Sequence, residues 1–210
     1  MQLCAITDRR YFERHEASLS QRLLRLVESW AAGGVDFIQL REKDLDAHQL
    51  QALAGEMRER IGRNPTKLLV NGSAPEIAAL ALAAAADGVH LAGKPAPGAA
   101  RSVRQSFRSR GCDAIISVPC HDLDDIRVAV AEQVDLLLFS PVFEKLSFQP
   151  KGLEALSRAC AEAQGTPVFA LGGVTLANAS DCLAAGAAGV AGIRLFAGGD
   201  WQQLIARPPD

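Results

Sequence analysis

The chain has 210 residues, 49% hydrophobic and 22% charged, with a net charge of −2, a balance ordinary for a water-soluble globular protein. A single Tyr and no long basic run leave nucleic-acid binding without support, and the N-terminal MQLCAITDRRYF lacks the basic-then-apolar pattern of a signal peptide. The most apolar long stretch, around Ile77–Leu91, carries Asp87 and His90 and is no membrane span.

The five cysteines are Cys4, Cys112, Cys120, Cys160 and Cys182. They show no CxxC spacing, and an odd number without secretion signals points to reduced thiols in the cytoplasm. No linker or composition break divides the chain, so residues 1–210 read as one domain. That length buries roughly 70% of the unfolded chain's surface, so no metal or disulfide staple is needed to hold it.

Apolar runs of strand length alternate with helix-period stretches. A first strand, Leu3–Thr7, is followed by a helix over Leu19–Ala32. The second strand, Phe37–Leu40, lies in GGVDFIQLREKD and stops in a burst of charge. If the extended conformation continued past it, Gln39, Arg41 and Lys43 would share one face. An amide and two cations together make an anion site, although a strand emerging into solvent gives the same composition.

A helix at Ala47–Ile61 then leads to a strand at Lys67–Val70, a helix at Pro75–Ala84 and a strand at Gly88–Leu91. Next come a helix at Ala99–Arg110, a strand at Ala114–Val118, a helix at Leu123–Glu132 and a strand at Leu136–Phe139. The series closes with a helix at Leu153–Ala163, a strand at Val168–Leu171, a helix at Leu176–Ala185 and a strand at Gly189–Ile193.

A weak repeat supports the pattern: AGGVDFIQL, AAADGVHL, EQVDLLLF and AAGAAGVAGI each place small or acidic residues before an apolar strand. Alternating strands and helices predict a parallel sheet, and eight units in this length predict a single-domain (β/α)₈ TIM barrel. A doubly wound sheet is the alternative, but no GxGxxG follows the first strand.

Barrel active sites lie where strands end. Those positions hold Asp8, Arg41, Lys43, Asn71, His90, His121, Ser140, Lys145, Lys151, Gly172, Gly173 and Arg194, a cationic, His-containing rim suited to a phosphorylated ligand. Gly172–Gly173 follow the seventh strand, with Thr175 the expected cap of the next helix, and Arg194 ends the eighth strand. Amides freed there can approach phosphate, whereas a tight turn beside a surface arginine is the structural alternative.

Taken in order, CAITD, GVDFIQLREKD, LLVNG, ADGVHL, SVPCHDLDD, DLLLFSPVFE, ALGGVTLAN and GAAGVAGI resemble the thiamine phosphate synthase/TenI family across nearly the whole chain. The resemblance implies the same barrel. Its best-known activity joins an aminopyrimidine diphosphate to a thiazole phosphate in thiamin biosynthesis. By position, Gln39, Arg41 and Lys43 match residues that hold the pyrimidine's pyrophosphate, and Gly172–Gly173 with the end of strand eight match the thiazole-phosphate site. Arg194 stands where the family has a small hydroxyl residue, so phosphate contact by its side chain is inferred from position alone.

Three departures fall on the diphosphate half. Asn71-Gly72 replaces Asn-Asp, and Pro95 stands where a second Asp is usual, so two carboxylates that help hold Mg²⁺ are missing. SPVFEKLSF replaces GPVFxTxTK, putting Lys145, Ser147 and Phe148 at the diphosphate grip. TenI-type members share such losses, and their thiazole tautomerase chemistry uses a histidine at the position of His121, a residue whose pKa suits proton transfer.

The expectation is therefore a cytoplasmic thiazole tautomerase-type isomerase. His121 moves the proton, Gly172, Gly173 and Arg194 hold phosphate, and Gln39, Arg41, Lys43, Asn71 and Lys145 meet the rest of a phosphorylated thiazole. No metal or other cofactor is expected, Mg²⁺ entering only for a true synthase, and no nucleic-acid or membrane partner; a homo-oligomer stays open. The alternatives are a true thiamine phosphate synthase and a non-catalytic phosphate-ligand binder. His121 also reads as an exposed helix-start residue, His90 as a packing residue, His15 and His48 as solvated, and Cys120 as a minor nucleophile candidate.

Overall fold

Eight parallel strands close on themselves in chain order, each hydrogen-bonded to the next and β8 returning to β1. The computed structural model describes residues 1–11, 19–144 and 149–205. Its elements are β1 (Gln2–Ile6), α1 (Leu19–Ala32), β2 (Phe37–Leu40), α2 (Ala47–Ile61), β3 (Lys67–Gly72), α3 (Glu76–Ala83), β4 (Gly88–Leu91) and α4 (Ala99–Arg108). They continue with β5 (Ile115–Cys120), α5 (Leu123–Ala131), β6 (Leu136–Phe139), α6 (Gly152–Glu162), β7 (Val168–Ala170), α7 (Ala179–Ala184), β8 (Gly189–Gly192) and α8 (Arg194–Ala197). This is the expected TIM barrel, and its closure rules out the open doubly wound sheet. Among the described residues, no helix is long and apolar enough to cross a membrane.

Local chemistry accounts for the helices. In α1, Leu23, Leu24, Val27, Trp30 and Ala31 recur at helical spacing and bury one face. Asp46 and Gln49 form a capping box at the start of α2, and the Asp122 side chain accepts the Asp125 N–H at the start of α5.

The acidic residue in the repeat has a defined task at the N-terminal end of the barrel. Asp36, just before β2, accepts the Leu3 N–H of β1 at 2.8 Å. Asp87, before β4, accepts the Leu68 N–H of β3 at 2.9 Å, and Asp135, before β6, accepts the Ile116 N–H of β5 at 2.8 Å. Each carboxylate thus staples the previous strand to its own. Arg58 and Lys67 also bind Asp87, and Arg104 binds Asp135.

Within the barrel, alternation separates an inner layer from the outer core. Cys4, Ile6, Leu69, Leu136, Leu138, Phe169 and Ala191 form the inner cluster, with Phe37, Ile115 and Leu171 against it. Phe37 and Phe169 meet edge to face, their centroids 5.7 Å apart. The lumen is a packed plug, and polar inward positions begin only above it.

The element ends differ from expectation where neighbours extend the pairing. β3 runs on to Gly72 because Asn71 pairs with His90 and Gly72 with Leu91, and β5 reaches Cys120 opposite Phe139. The seventh helix begins at Ala179 rather than Leu176, with Asn178 at its cap position instead of Thr175. Asn178 Oδ1 accepts the Thr175 N–H and its Nδ2 donates to the Gly173 carbonyl, which holds the intervening residues as a turn. The short α8 is an element the strand–helix periodicity does not announce; its Phe196 carbonyl accepts from the Trp30 indole at 3.1 Å.

Asp87→Ala removes the acceptor for a strand amide and two cations. Leaving a buried donor unpaired typically costs about 1–3 kcal/mol, so urea unfolding should show a loss in that range. Activity should persist in the folded fraction, because Asp87 lies at the opposite end of the barrel from the mouth.

Candidate active site at the barrel mouth

Above the apolar plug, the inward positions turn polar together. Gln39 follows Phe37 on β2, Asn71 follows Leu69 on β3, His90 stands beside Asn71 on β4, and Ser117 pairs with His90 from β5. Side chains two apart share a face, so each polar residue is carried to the mouth by the same alternation that buries its neighbour.

Gln39 is buried, and its Oε1 has no hydrogen-bond partner among the described residues. Arg41 is half-buried at the end of β2, within electrostatic reach of both Asp8 and His90. Lys43 is exposed. The chain leaves the extended conformation after Leu40 and turns at Lys43–Asp44, so the ladder continuing Gln39 and Arg41 to Lys43 does not form. Asn71 is half-buried; Lys145 lies outside the described residues.

His90 is buried, with Nδ1 hydrogen-bonded to Ser117 Oγ at 2.9 Å. Burial, assisted by the positive charge of Arg41, lowers its pKa to about 3. It is therefore a neutral imidazole at ordinary pH.

His121 lies one residue past β5 and is exposed. Its backbone N–H donates to Asp125 Oδ2, and Nδ1 lies 2.9 Å from the Ser140 carbonyl oxygen. A carbonyl only accepts, so Nδ1 carries the proton in that bond and Nε2 stays outside it. The same residue lines a cavity of about 420 Å³ between the barrel wall and helices α4 and α5, with Leu91, Pro95, Val118 and Asp125. Leu91 and Val118 in its lining belong to the outer core. Cys120 is buried, and burial, with Asp125 and Asp122 adding, pushes its thiol up to about 12, which removes it as a nucleophile.

At the phosphate end, Gly172 and Gly173 have φ of 91° and 69°, a region that favours glycine. A Cβ on Gly172 would lie 2.8 Å from Pro141 Cα, and one on Gly173 would lie 2.7 Å from the Glu144 carbonyl oxygen. The pair therefore also lets this loop pack on the segment after β6. No described residue accepts the Gly173 N–H. Arg194 is exposed at the start of α8, and no described residue forms an ion pair with it.

The sequence reading missed a polar lattice behind Arg41. Asp8 is buried, and Arg10 grips both its oxygens at 2.8 and 2.6 Å. These bonds, outweighing burial, hold the Asp8 carboxyl below the usual carboxylate range. Glu42 is buried against Arg9, with Oε1 unpartnered among the described residues. Burial pushes its carboxyl up, while Arg9 and the Thr7 hydroxyl draw it back down. In sequence, Glu42 sits among charged residues that do not mark it for burial.

The sequence profile of the family described as thiamine monophosphate synthase matches residues 3–196. A putative thiamine-phosphate synthase of Geobacter sulfurreducens is 42% identical over 184 residues, covering 85% of this chain and 81% of its own length. A thiamine-phosphate synthase of Chloroflexus aurantiacus is 32% identical over 213 positions, covering 99% and 94%. Among solved structures, thiamine phosphate pyrophosphorylase from Pyrococcus furiosus is similar with a TM-score of 0.77 at 25% identity, covering 96% of this chain and 90% of that one.

These findings correct the expected activity. Relatives matched along most of the chain carry the synthase name, which favours the pyrophosphate-releasing transferase over the thiazole tautomerase-type isomerase. The tautomerase reading rested on the missing carboxylates at Gly72 and Pro95, on Lys145, Ser147 and Phe148 at the diphosphate grip, and on the histidine at position 121. Those changes alter local donors but leave the barrel and its overall similarity to the synthases in place.

The His90 shift has a definite sign. Its folded pKa lies below the ordinary value of 6.5. Between the two values the unfolded chain binds more protons, so stability falls as pH drops below about 6.5. His90→Asn should flatten that slope in urea titrations at pH 7 and pH 5. NMR should show the wild-type imidazole neutral at pH 5; a titration midpoint near 6.5 would contradict this environment.

Proposed function

The chain belongs to the thiamine monophosphate synthase family, and we propose that it joins an aminopyrimidine diphosphate to a thiazole phosphate with release of pyrophosphate. In that reaction the thiazole nitrogen lone pair forms a C–N bond to the pyrimidine methylene carbon. The C–O bond to the diphosphate breaks, and its electrons leave with pyrophosphate. Negative charge develops at the leaving group, so the protein's contribution is positioning and electrostatic compensation.

The observation that carries this reading is a cation at the mouth that no acid among the described residues grips. Arg41 is half-buried beside neutral His90, and the nearby Asp8 has both oxygens held by Arg10. The Arg41 guanidinium is thus free to meet the diphosphate with its planar fork, and Lys43 adds mobile charge at the rim. Gln39 and Asn71 supply hydrogen-bonding groups above the apolar plug, and we assign them to the pyrimidine end. Gly172, Gly173 and Arg194 are assigned to the thiazole phosphate across the mouth, where the Gly173 amide finds no acceptor among the described residues. Lys145 adds a cation in sequence to the diphosphate side.

Mg²⁺ is implied by the family resemblance, but the residues at the usual ligand positions do not fit it. Gly72 and Pro95 offer no carboxylate, and a Cβ on Gly72 would lie 2.7 Å from Ile77 Cδ1, so a larger side chain there meets Ile77. No step is therefore routed through a metal. His121, with Nε2 outside the bond to Ser140, is retained as a group that reaches substrate only from the rim.

Purified protein given both substrates should form thiamine phosphate and pyrophosphate in equal amounts, read by chromatography and a pyrophosphate assay. Absence of coupled product, with the thiazole phosphate recovered unchanged, would overturn the reading. Arg41→Ala should lower kcat/KM by about 10²–10³-fold, the usual effect of removing one charge-stabilising donor, and Arg41→Lys should restore only part of it.

Calorimetry with inorganic pyrophosphate tests the metal assignment separately. Affinity with a chelator present should stay within about threefold of that with Mg²⁺, under 1 kcal/mol. Binding seen only with Mg²⁺ would return a metal to this half of the site.

A further inference from the structure

Consecutive links tie the exit of β1 to the exit of β2. The Thr7 N–H donates to the Gln39 carbonyl at 3.0 Å, and the Arg41 N–H donates back to Thr7 Oγ1 at 2.9 Å. Two residues past Thr7 and one past Arg41, the Arg9 N–H and Nε donate to Glu42 Oε2 at 3.0 and 3.2 Å. The same guanidinium reaches Asp44 at 2.8 Å. Arg41 is thus pinned at its own amide and again through the side chain of the next residue.

Glu42 is the unusual member. Its side chain is only 2% exposed, although it stands between two cations on a loop beside solvent. A buried ion pair seldom adds net stability, because desolvation offsets the attraction. What this pair does is local and directional. It turns the chain after Leu40, where simple alternation would have continued, and so fixes the angle at which Arg41 leaves the sheet.

We propose that Glu42 and Arg9 are positioning residues that hold the Arg41 guanidinium in the mouth for the substrate's diphosphate. The identity of that ligand rests on the synthase reading; the geometry of the clip does not. Misplacing a charge-stabilising group by about 1 Å can cost as much as 10²-fold, so the clip has room to matter without touching substrate.

The test compares Glu42→Ala, Glu42→Gln, Arg9→Ala and the Glu42→Ala/Arg9→Ala double variant in calorimetry with inorganic pyrophosphate and in steady-state kinetics at neutral pH. Glu42→Ala and Arg9→Ala should each weaken pyrophosphate binding and raise KM for the diphosphate substrate about tenfold, with KM for thiazole phosphate within about twofold. The double variant should be no worse than the worse single one, because both remove one interaction. Glu42→Gln, which can still accept from Arg9, should recover part of the loss; if Glu42→Ala does not fold, Glu42→Gln and Arg9→Ala carry the test.

Pyrophosphate affinity within about twofold of wild type in every variant, or an equal rise of both KM values, would overturn the proposal. Glu42-dependent pyrophosphate binding without coupled product would keep the clip and overturn the synthase reading. A wild-type protein that does not bind pyrophosphate would overturn both.

Discussion

The polar mouth depends on how far the apolar plug fills the barrel. Ile6, Phe37, Leu69, Leu138 and Phe169 occupy the lumen beneath it. With the space below closed, Gln39, Asn71 and His90 are the next inward positions on their strands, above the apolar plug. Replacing any plug residue with a smaller one would open the floor under all three. At the other end of the barrel Asp36, Asp87 and Asp135 tie β1 to β2, β3 to β4 and β5 to β6.

At the mouth itself, electrostatics is arranged by burial and pairing. Asp8 is neutralised by Arg10, Glu42 by Arg9, and His90 stays uncharged because burial and Arg41 both oppose its protonation. The net result is that Arg41 has no ion-pair partner among the described residues and stands beside hydrogen-bonding groups. An enzyme that must stabilise a departing diphosphate needs that outcome, whether the compensating charge comes from protein or from metal.

The fold was legible because its period was. Alternation of apolar runs and helical stretches placed eight strands, five of which the structure reproduces residue for residue or within one residue at a single end: Phe37–Leu40, Gly88–Leu91, Leu136–Phe139, Val168–Ala170 and Gly189–Gly192. Helix ends were harder, since the Asn178 side-chain bonds that delay α7 depend on where the Gly173 carbonyl points. The mouth was half legible. Gln39, Arg41, Asn71 and His90 follow from alternation along a strand, but Lys43 does not, because a turn breaks the period after Leu40. Glu42 and the Asp8–Arg10 pair were hidden: nothing in a run of charged residues says which one the fold will bury. The activity was misjudged for a different reason, as local departures at Gly72, Pro95 and the loop after strand six, with a histidine at position 121, weighed more in the reading than similarity along the whole chain.

A structure with inorganic pyrophosphate and the thiazole phosphate bound together tests the central claim most directly, which is that the mouth divides into a protein-cation diphosphate half and a backbone-amide phosphate half. The account predicts pyrophosphate within hydrogen-bond distance of the Arg41 guanidinium, and the thiazole's phosphate at the Gly172–Gly173 amides, with Glu42 still bound to Arg9. Pyrophosphate seated instead in the cavity between α4 and α5 beside His121, or held by a metal with Arg41 turned away, would contradict it.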